Sequence, residues 1–191
     1  MARVATRSHL TAPEYLAWER AQAERHEFHD GEVFAMAGGS PRHNWIAARV
    51  QSELMRALGD RCFVFTPDQR IVVDEGKRYV YPDASVVCGA VELQAGTTDV
   101  VANPAVLVEV LSHTTEAYDR GLKWEGYQRL ASVTDYLLLA QHEVRVEHYR
   151  RAPERGWFYA ALGPGERVHL TSGAALDVDA IYARALELPG D

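Results

Sequence analysis

The sequence predicts an α/β domain, and three features carry that prediction. The run Ala105-Val106-Leu107-Val108-Glu109-Val110-Leu111 has the length and β-branched content of a buried strand, and Asp135-Tyr136-Leu137-Leu138-Leu139 reads the same way. Between them, after Thr114-Thr115, the residues Tyr118, Leu122, Tyr127 and Leu130 mark one helical face. Strand, helix and strand in that order predict a right-handed crossover between parallel strands, with the helix over one face of the sheet. Upstream, Ile46, Val50, Leu54 and Leu58 recur every four residues as the core stripe of another helix.

The remaining elements follow in chain order. Thr11-Ala12-Pro13-Glu14 is a capping-box pattern that opens a helix reaching about Glu24. Glu27 to Phe34 contains Asp30-Gly31 between strand-like arms and predicts a hairpin, which Gly38-Gly39 ends. Ser40 with Pro41 at the first helical position starts the striped helix, and Gly59 stops it. Cys62 to Gly89 is β-rich: Cys62–Phe65, Arg70–Val73, then Tyr79 onward through Val87, with Asp74-Glu75-Gly76-Lys77 as a turn. Glu92 to Asn103 reads as a loop or short helix. After the crossover, Val144 to Tyr149 and Trp157 to Ala161 read as meandering strands, and Asp179 to Leu186 as a closing helix.

The 191 residues suit a single domain whose core needs neither disulfides nor a structural metal. Cys62 and Cys88 lie in apolar, strand-like stretches and read as small buried hydrophobes, not as a disulfide framework. The N-terminus lacks the apolar centre of a signal peptide and no stretch is long enough to span a membrane, so the expected location is cytoplasmic. A net charge of -7 argues against a protein that coats nucleic acid through a broad basic surface. It leaves room for an enzyme whose carboxylates bring a cation to phosphate, with Arg70, Lys77, Arg78, Arg120, Lys123 and Arg129 as a local rim or as ordinary surface charge.

Glu109 needs a reason to sit in an apolar strand. A buried carboxylate without a partner costs several kcal/mol, so it is protonated, paired with a cation or bound to a metal. Strand alternation puts Leu107, Glu109 and Leu111 on one face. Tyr81-Pro82-Asp83 stands at the mouth of another apolar run, Ala84 to Cys88, and pairing of the two strands brings Asp83 and Glu109 to one edge. Two carboxylates and Lys123 on the following helix suit a hard divalent cation, Mg²⁺ or Mn²⁺, and a phosphodiester.

These residues carry a family resemblance. Asp30-Gly31-Glu32, Met36 to Ser40, His43, Pro82-Asp83, Glu109-Val110-Leu111-Ser112, Tyr118 to Lys123, Tyr127 and Tyr136-Leu137 resemble, in order and spacing, the Uma-two family of the PD-(D/E)xK nuclease superfamily. The resemblance implies a restriction-endonuclease-like mixed β-sheet flanked by helices, and a metal held by Asp83 and Glu109 with the Val110 carbonyl as a third ligand. It further implies DNA as the nucleic-acid partner and, by analogy, a homodimer. The superfamily lysine two residues after the glutamate is replaced here by Leu111, and Lys123 fits the family's lysine on the next helix. That helix places Lys123 about 12 Å along its axis, and Glu109 lies roughly 7 Å back from the strand's end, a difference a long lysine can close. His113 stands where the family commonly has proline, and Ala140 where an acid is common.

Each candidate has a structural alternative. Asp83 caps a strand after proline, Glu109 forms a buried ion pair with Lys123, and Lys123 pairs on the surface with Asp119 four residues earlier. His43, in the first turn of the second helix, faces substrate or water. Glu32 is either an outward strand residue or an added acidic ligand. Tyr118 and Tyr127 read as core. The rival to a nuclease is a non-catalytic nucleic-acid-binding or protein-interaction module that keeps the fold, and hydrolysis of another phosphate ester uses the same metal logic. No helix-turn-helix, zinc finger or basic arm supplies base readout.

Overall fold

A computed structural model describes residues 5–36 and 38–191; Ala37, part of the Met36-to-Ser40 stretch, and the first four residues lie outside it. Helix α1 spans Ala12–Glu19 with both halves of the Thr11–Glu14 capping box in place. It stops well short of Glu24 because Glu19 turns fully inward, accepting from the His26 amide at 2.9 Å and from Tyr81 Oη at 3.0 Å. The hairpin β1 (His26–His29) and β2 (Glu32–Ala35) follows. Its turn uses φ 47° at Asp30 and 95° at Gly31, the paired positive angles that match strand twist.

Helix α2 is Pro41–Leu58, capped by Ser40, with all four stripe residues buried. Gly59 ends it at φ 56°, a conformation that costs a side-chain-bearing residue energy. Strands β3 (Cys62–Phe65) and β4 (Arg70–Val73) form where expected. The run from Tyr79 to Val87 does not form one strand. It divides into β5 (Arg78–Val80) and β6 (Ala84–Cys88), which belong to different sheets, with Tyr81-Pro82-Asp83 crossing between them. Pro82 has no amide hydrogen to continue a ladder. The expected loop from Glu92 to Asn103 contains a short strand, β7 (Val100–Val101).

Strand β8 is Val106–Val110, and β9 (Asp135–Leu139) runs parallel to it, as the crossover predicts. Between them lie α3 (Glu116–Tyr118), a π-turn over Asp119–Lys123, and α4 (Trp124–Arg129). The chain closes with β10 (Val146–Arg151), β11 (Trp157–Leu162), the hairpin β12 (Arg167–His169) and β13 (Ala175–Asp177), and α5 (Val178–Tyr182). The closing helix is shorter than expected, for Arg184 takes φ 62° and only a 3₁₀ turn follows.

The strands form a mixed six-stranded sheet, β11-β10-β9-β8-β6-β3, and a five-stranded sheet, β2-β1-β5-β4-β7. One face of the larger sheet, through Val106, Val108, Val110, Leu137 and Leu139, packs on α2 and α5. Its other face, through Leu107, Leu111, Tyr136 and Leu138, packs on Ile71, Val73 and Val80 of the smaller sheet and on Tyr127 of α4. Glu109 therefore points into the layer between the two sheets.

The reading of the cysteines is overturned. Cys62 and Cys88 face each other in the antiparallel β3–β6 register and form a disulfide, and Cys88 is exposed. The pairing follows from a strand register that the separate apolar stretches did not disclose. Among the described residues no helix is long and apolar enough to cross a membrane.

Candidate active site

Four chain segments converge where β8 ends. Strand β8 supplies Glu109 and Val110, the crossing before β6 supplies Asp83, β1 supplies Glu27, and the helical segment after β8 supplies Asp119, Lys123 and Tyr127. All but Tyr127 line a cleft of about 340 Å³, with Ser40 and His43 of α2's start at its mouth.

Lys123 sits at the floor, 7% exposed. Its Nζ lies 2.9 Å from Glu109 Oε1, 3.1 Å from Glu27 Oε1 and 3.3 Å from Asp119 Oδ1. Tyr127 Oη donates to the same Glu109 oxygen at 2.9 Å. Asp119, Lys123 and Tyr127 follow one another at four-residue intervals through the π-turn and α4, and all three are buried on the inward side. The expected face through Tyr118, Leu122 and Tyr127 is corrected accordingly, because Leu122 is 43% exposed. The Asp119–Lys123 pair exists, but buried and not on the surface.

Burial pushes the Glu109 carboxyl well above its usual range, with Lys123 opposing, and burial likewise raises Asp119. Burial also works against the charged form of Lys123, yet Glu109, Glu27 and Asp119 together outweigh it and hold the ammonium protonated. The acids compete for one lysine.

Asp83 stands above this floor. Its Oδ2 accepts the Val110 amide hydrogen at 2.7 Å, which ties the crossing segment to the end of β8. In an extended strand the carbonyl of a residue turns to the same side as its amide, so the Val110 oxygen faces the side where Asp83 stands. His43 Nε2 is 3.5 Å from Asp83 Oδ2. Burial alone would lower the imidazole's affinity for a proton; the bond and charge of Asp83 outweigh that and raise it. Gly39 gives the ring its place, since a Cβ there would meet His43 Nδ1 at 2.6 Å. Behind the cleft, Tyr81 donates to Glu19 and accepts from Arg70 Nε at 2.7 Å, anchoring the crossing.

The structure thus brings Asp83, Glu109, Val110, Lys123 and His43 together. Glu32 is exposed at the start of β2 and does not line the cleft; the acid that this hairpin brings there is Glu27. Sequence reasoning passed over Glu27 and took Asp119 only as a surface partner of Lys123. The available signal was the alternation of β1, which places Glu27 on the opposite face from Phe28. The proposed basic rim does not form from the arginines: Arg70 pairs with Asp99, Arg78 and Arg129 with Asp74, and Arg120 with Glu147.

The family described as "Putative restriction endonuclease", Uma2, matches residues 12–179. The chain belongs to the Uma2 family. Two uncharacterised proteins of Synechocystis sp. are similar along most of their length: one is 35% identical over 175 residues, 91% of each chain, and the other 34% over 160 residues, 83% of this chain and 90% of the relative. The fold is similar to a crystal structure from Anabaena variabilis described as a putative nuclease belonging to DUF820, with a TM-score of 0.74 and 16% identity, covering 93% of this chain and 99% of that one. The mixed, helix-flanked sheet expected of a Uma2 protein is the fold observed.

Proposed function

We propose that the chain is a single endonuclease domain that hydrolyses phosphodiester bonds of DNA with Mg²⁺ or Mn²⁺ held by Asp83, Glu109 and the Val110 carbonyl. The observation that carries the proposal is the surplus of acid: Glu27, Asp83, Glu109 and Asp119 line one cleft around a single lysine. Packing would be better served by Val or Leu, because buried carboxylates lacking a full complement of cations are costly. A divalent cation removes that cost.

The residues fit such an ion. Their donors are all oxygens, which hard cations prefer. The bonds described at Glu109 fall on Oε1 and those at Asp83 on Oδ2, so each carboxylate has an oxygen outside those bonds. Among the described residues no three or more His, Cys, Asp or Glu side chains are grouped so as to hold a metal ion by themselves, and Mg²⁺ is commonly held by one or two carboxylates with water and substrate phosphate. When bound, the ion polarises a phosphate oxygen and lowers the pKa of water for in-line attack.

Lys123 positions that water or stabilises the charge developing on the phosphate from the floor of the cleft. Tyr127 fixes the Glu109 carboxylate and the Val110 amide fixes Asp83, so neither acid reorganises when substrate arrives. His43 Nε2, beside Asp83, can carry a proton at the mouth. The experiment is cleavage of supercoiled, linear and single-stranded DNA with either metal, wild type against Asp83→Ala purified identically. Metal-dependent cutting that the variant loses supports the proposal; no cutting by wild type with any combination overturns it.

A further inference from the structure

We propose, independently of the nuclease reading, that β11 is a pairing edge through which two copies of this chain join their six-stranded sheets antiparallel, about a two-fold axis at Tyr159. Strand β11 is the last in its sheet and pairs with β10 without interruption from Val146↔Leu162 to Arg151↔Trp157. Natural edge strands are protected by charge, proline, bulges or short length. Trp157-Phe158-Tyr159-Ala160-Ala161-Leu162 has none of these, and Phe158 and Tyr159 are 55% and 52% exposed.

The backbone parity selects one register. The Ala152 amide donates to Gly156, and the Arg151 amide to Thr134 on the far side, so even-numbered residues of β10 bond β11 and odd-numbered ones bond β9. In β11, Phe158, Ala160 and Leu162 are therefore committed to β10, and Trp157, Tyr159 and Ala161 turn their amides and carbonyls outward. A two-fold axis at Tyr159 sets Tyr159 against Tyr159 of the second copy and Trp157 against its Ala161, and the reverse, so every outward group of the strand finds a partner. On the side-chain faces, Phe158 then lies opposite Ala160, large beside small.

Charge at the strand ends names a second copy as the occupant. The same register puts Arg155 opposite Gly163 of the other chain, and the Gly163 amide holds Glu166 Oε2 at 2.7 Å. Arg155 and Glu166 are both exposed. The two-fold brings opposite charges together at both ends, and a slide of the register separates them.

The test is sedimentation velocity on the full chain across a concentration series. Wild type is expected at twice the monomer mass. Tyr159→Pro, which deletes an outward amide and leaves the backbone bonds to β10 in place while giving up the Tyr159 side-chain bonds to Glu147 and Arg145, is expected as a folded monomer by circular dichroism. Arg155→Glu and Glu166→Arg should each weaken association about tenfold or more, and the double swap should restore it, because opposite charges set register where like charges repel. A wild type monomeric at high concentration overturns the proposal. So does a dimer indifferent to Tyr159→Pro and to the charge swap, or one that forms only on added duplex DNA and ignores the swap.

Discussion

Lys123 is buried against three carboxylates, and this changes what its removal does. The sequence alone suggests that Lys123→Met keeps the fold and loses activity. With the lysine as the counter-charge to Glu109, Glu27 and Asp119, the substitution should also cost stability, about 3 kcal/mol as for other broken buried pairs, read from urea unfolding. Activity should fall on the order of a hundred- to a thousandfold, the scale of losing one group that stabilises charge at the reacting centre. Unchanged stability would mean that the acids are balanced another way. Arg120 offers a separate test with a definite sign. Its two bonds to Glu147, at 2.6 and 2.9 Å, hold that carboxyl below its usual 4.5 against the opposing effect of burial. A depressed carboxyl stabilises above its unfolded value and loses that contribution as pH falls through the folded one. Arg120→Met should therefore cost about 1 kcal/mol near neutrality, a solvent-screened amount, and the gap to wild type should close below about pH 4.5, measured by unfolding across pH. Glu109 was legible as a candidate because an acid inside an apolar run is costly and conspicuous, whereas Asp83 and Lys123 were singled out by the family resemblance. Glu27 and Asp119 were not legible, since an acid among polar neighbours looks like surface until the fold buries it.

Among the elements, the helical segment after β8 decides the site. Its π-turn was not legible, because residue periodicity read over four marker positions accommodates one extra residue without a visible break. Strands β8 and β9 and the stripe of α2 were legible because long apolar patterns leave few alternatives. Helix α1 was read too long because its periodicity carried no mark of Glu19 as a buried hydrogen-bond centre. The same helical segment contains a close approach: a Cβ on Gly126 of α4 would come within 2.8 Å of Val73 Cγ1 and 3.2 Å of Arg78 Nη1. Alanine ordinarily helps a helix, yet here it overpacks the seam between α4 and the smaller sheet. Gly126→Ala should destabilise by about 1 to 3 kcal/mol in urea titration. Stabilisation would mean that α4 does not seat on β4 as described.

At the scale of the whole molecule, the cleft exists because two sheets meet, and the chain passes from one to the other at Tyr81-Pro82-Asp83. The sequence read that stretch as one strand, and it could not show the division because both flanks are equally apolar. The Cys62–Cys88 bond escaped for the same reason: it depends on which strands pair, a long-range property. A cleft that gathers acids from distant segments couples metal binding to folding, since the unfolded chain disperses them. A saturating divalent ion should raise stability by about 2.7 kcal/mol at a hundredfold excess over its Kd, seen as a higher melting temperature in wild type and not in Asp83→Ala. The central claim is that this acid surplus holds a divalent cation, and titration of Mn²⁺ into wild type and Glu109→Gln, followed by calorimetry, tests it most directly. The account predicts saturable heat in wild type that the near-isosteric variant loses while remaining folded; an absence of heat in wild type, or equal binding by both proteins, would contradict it.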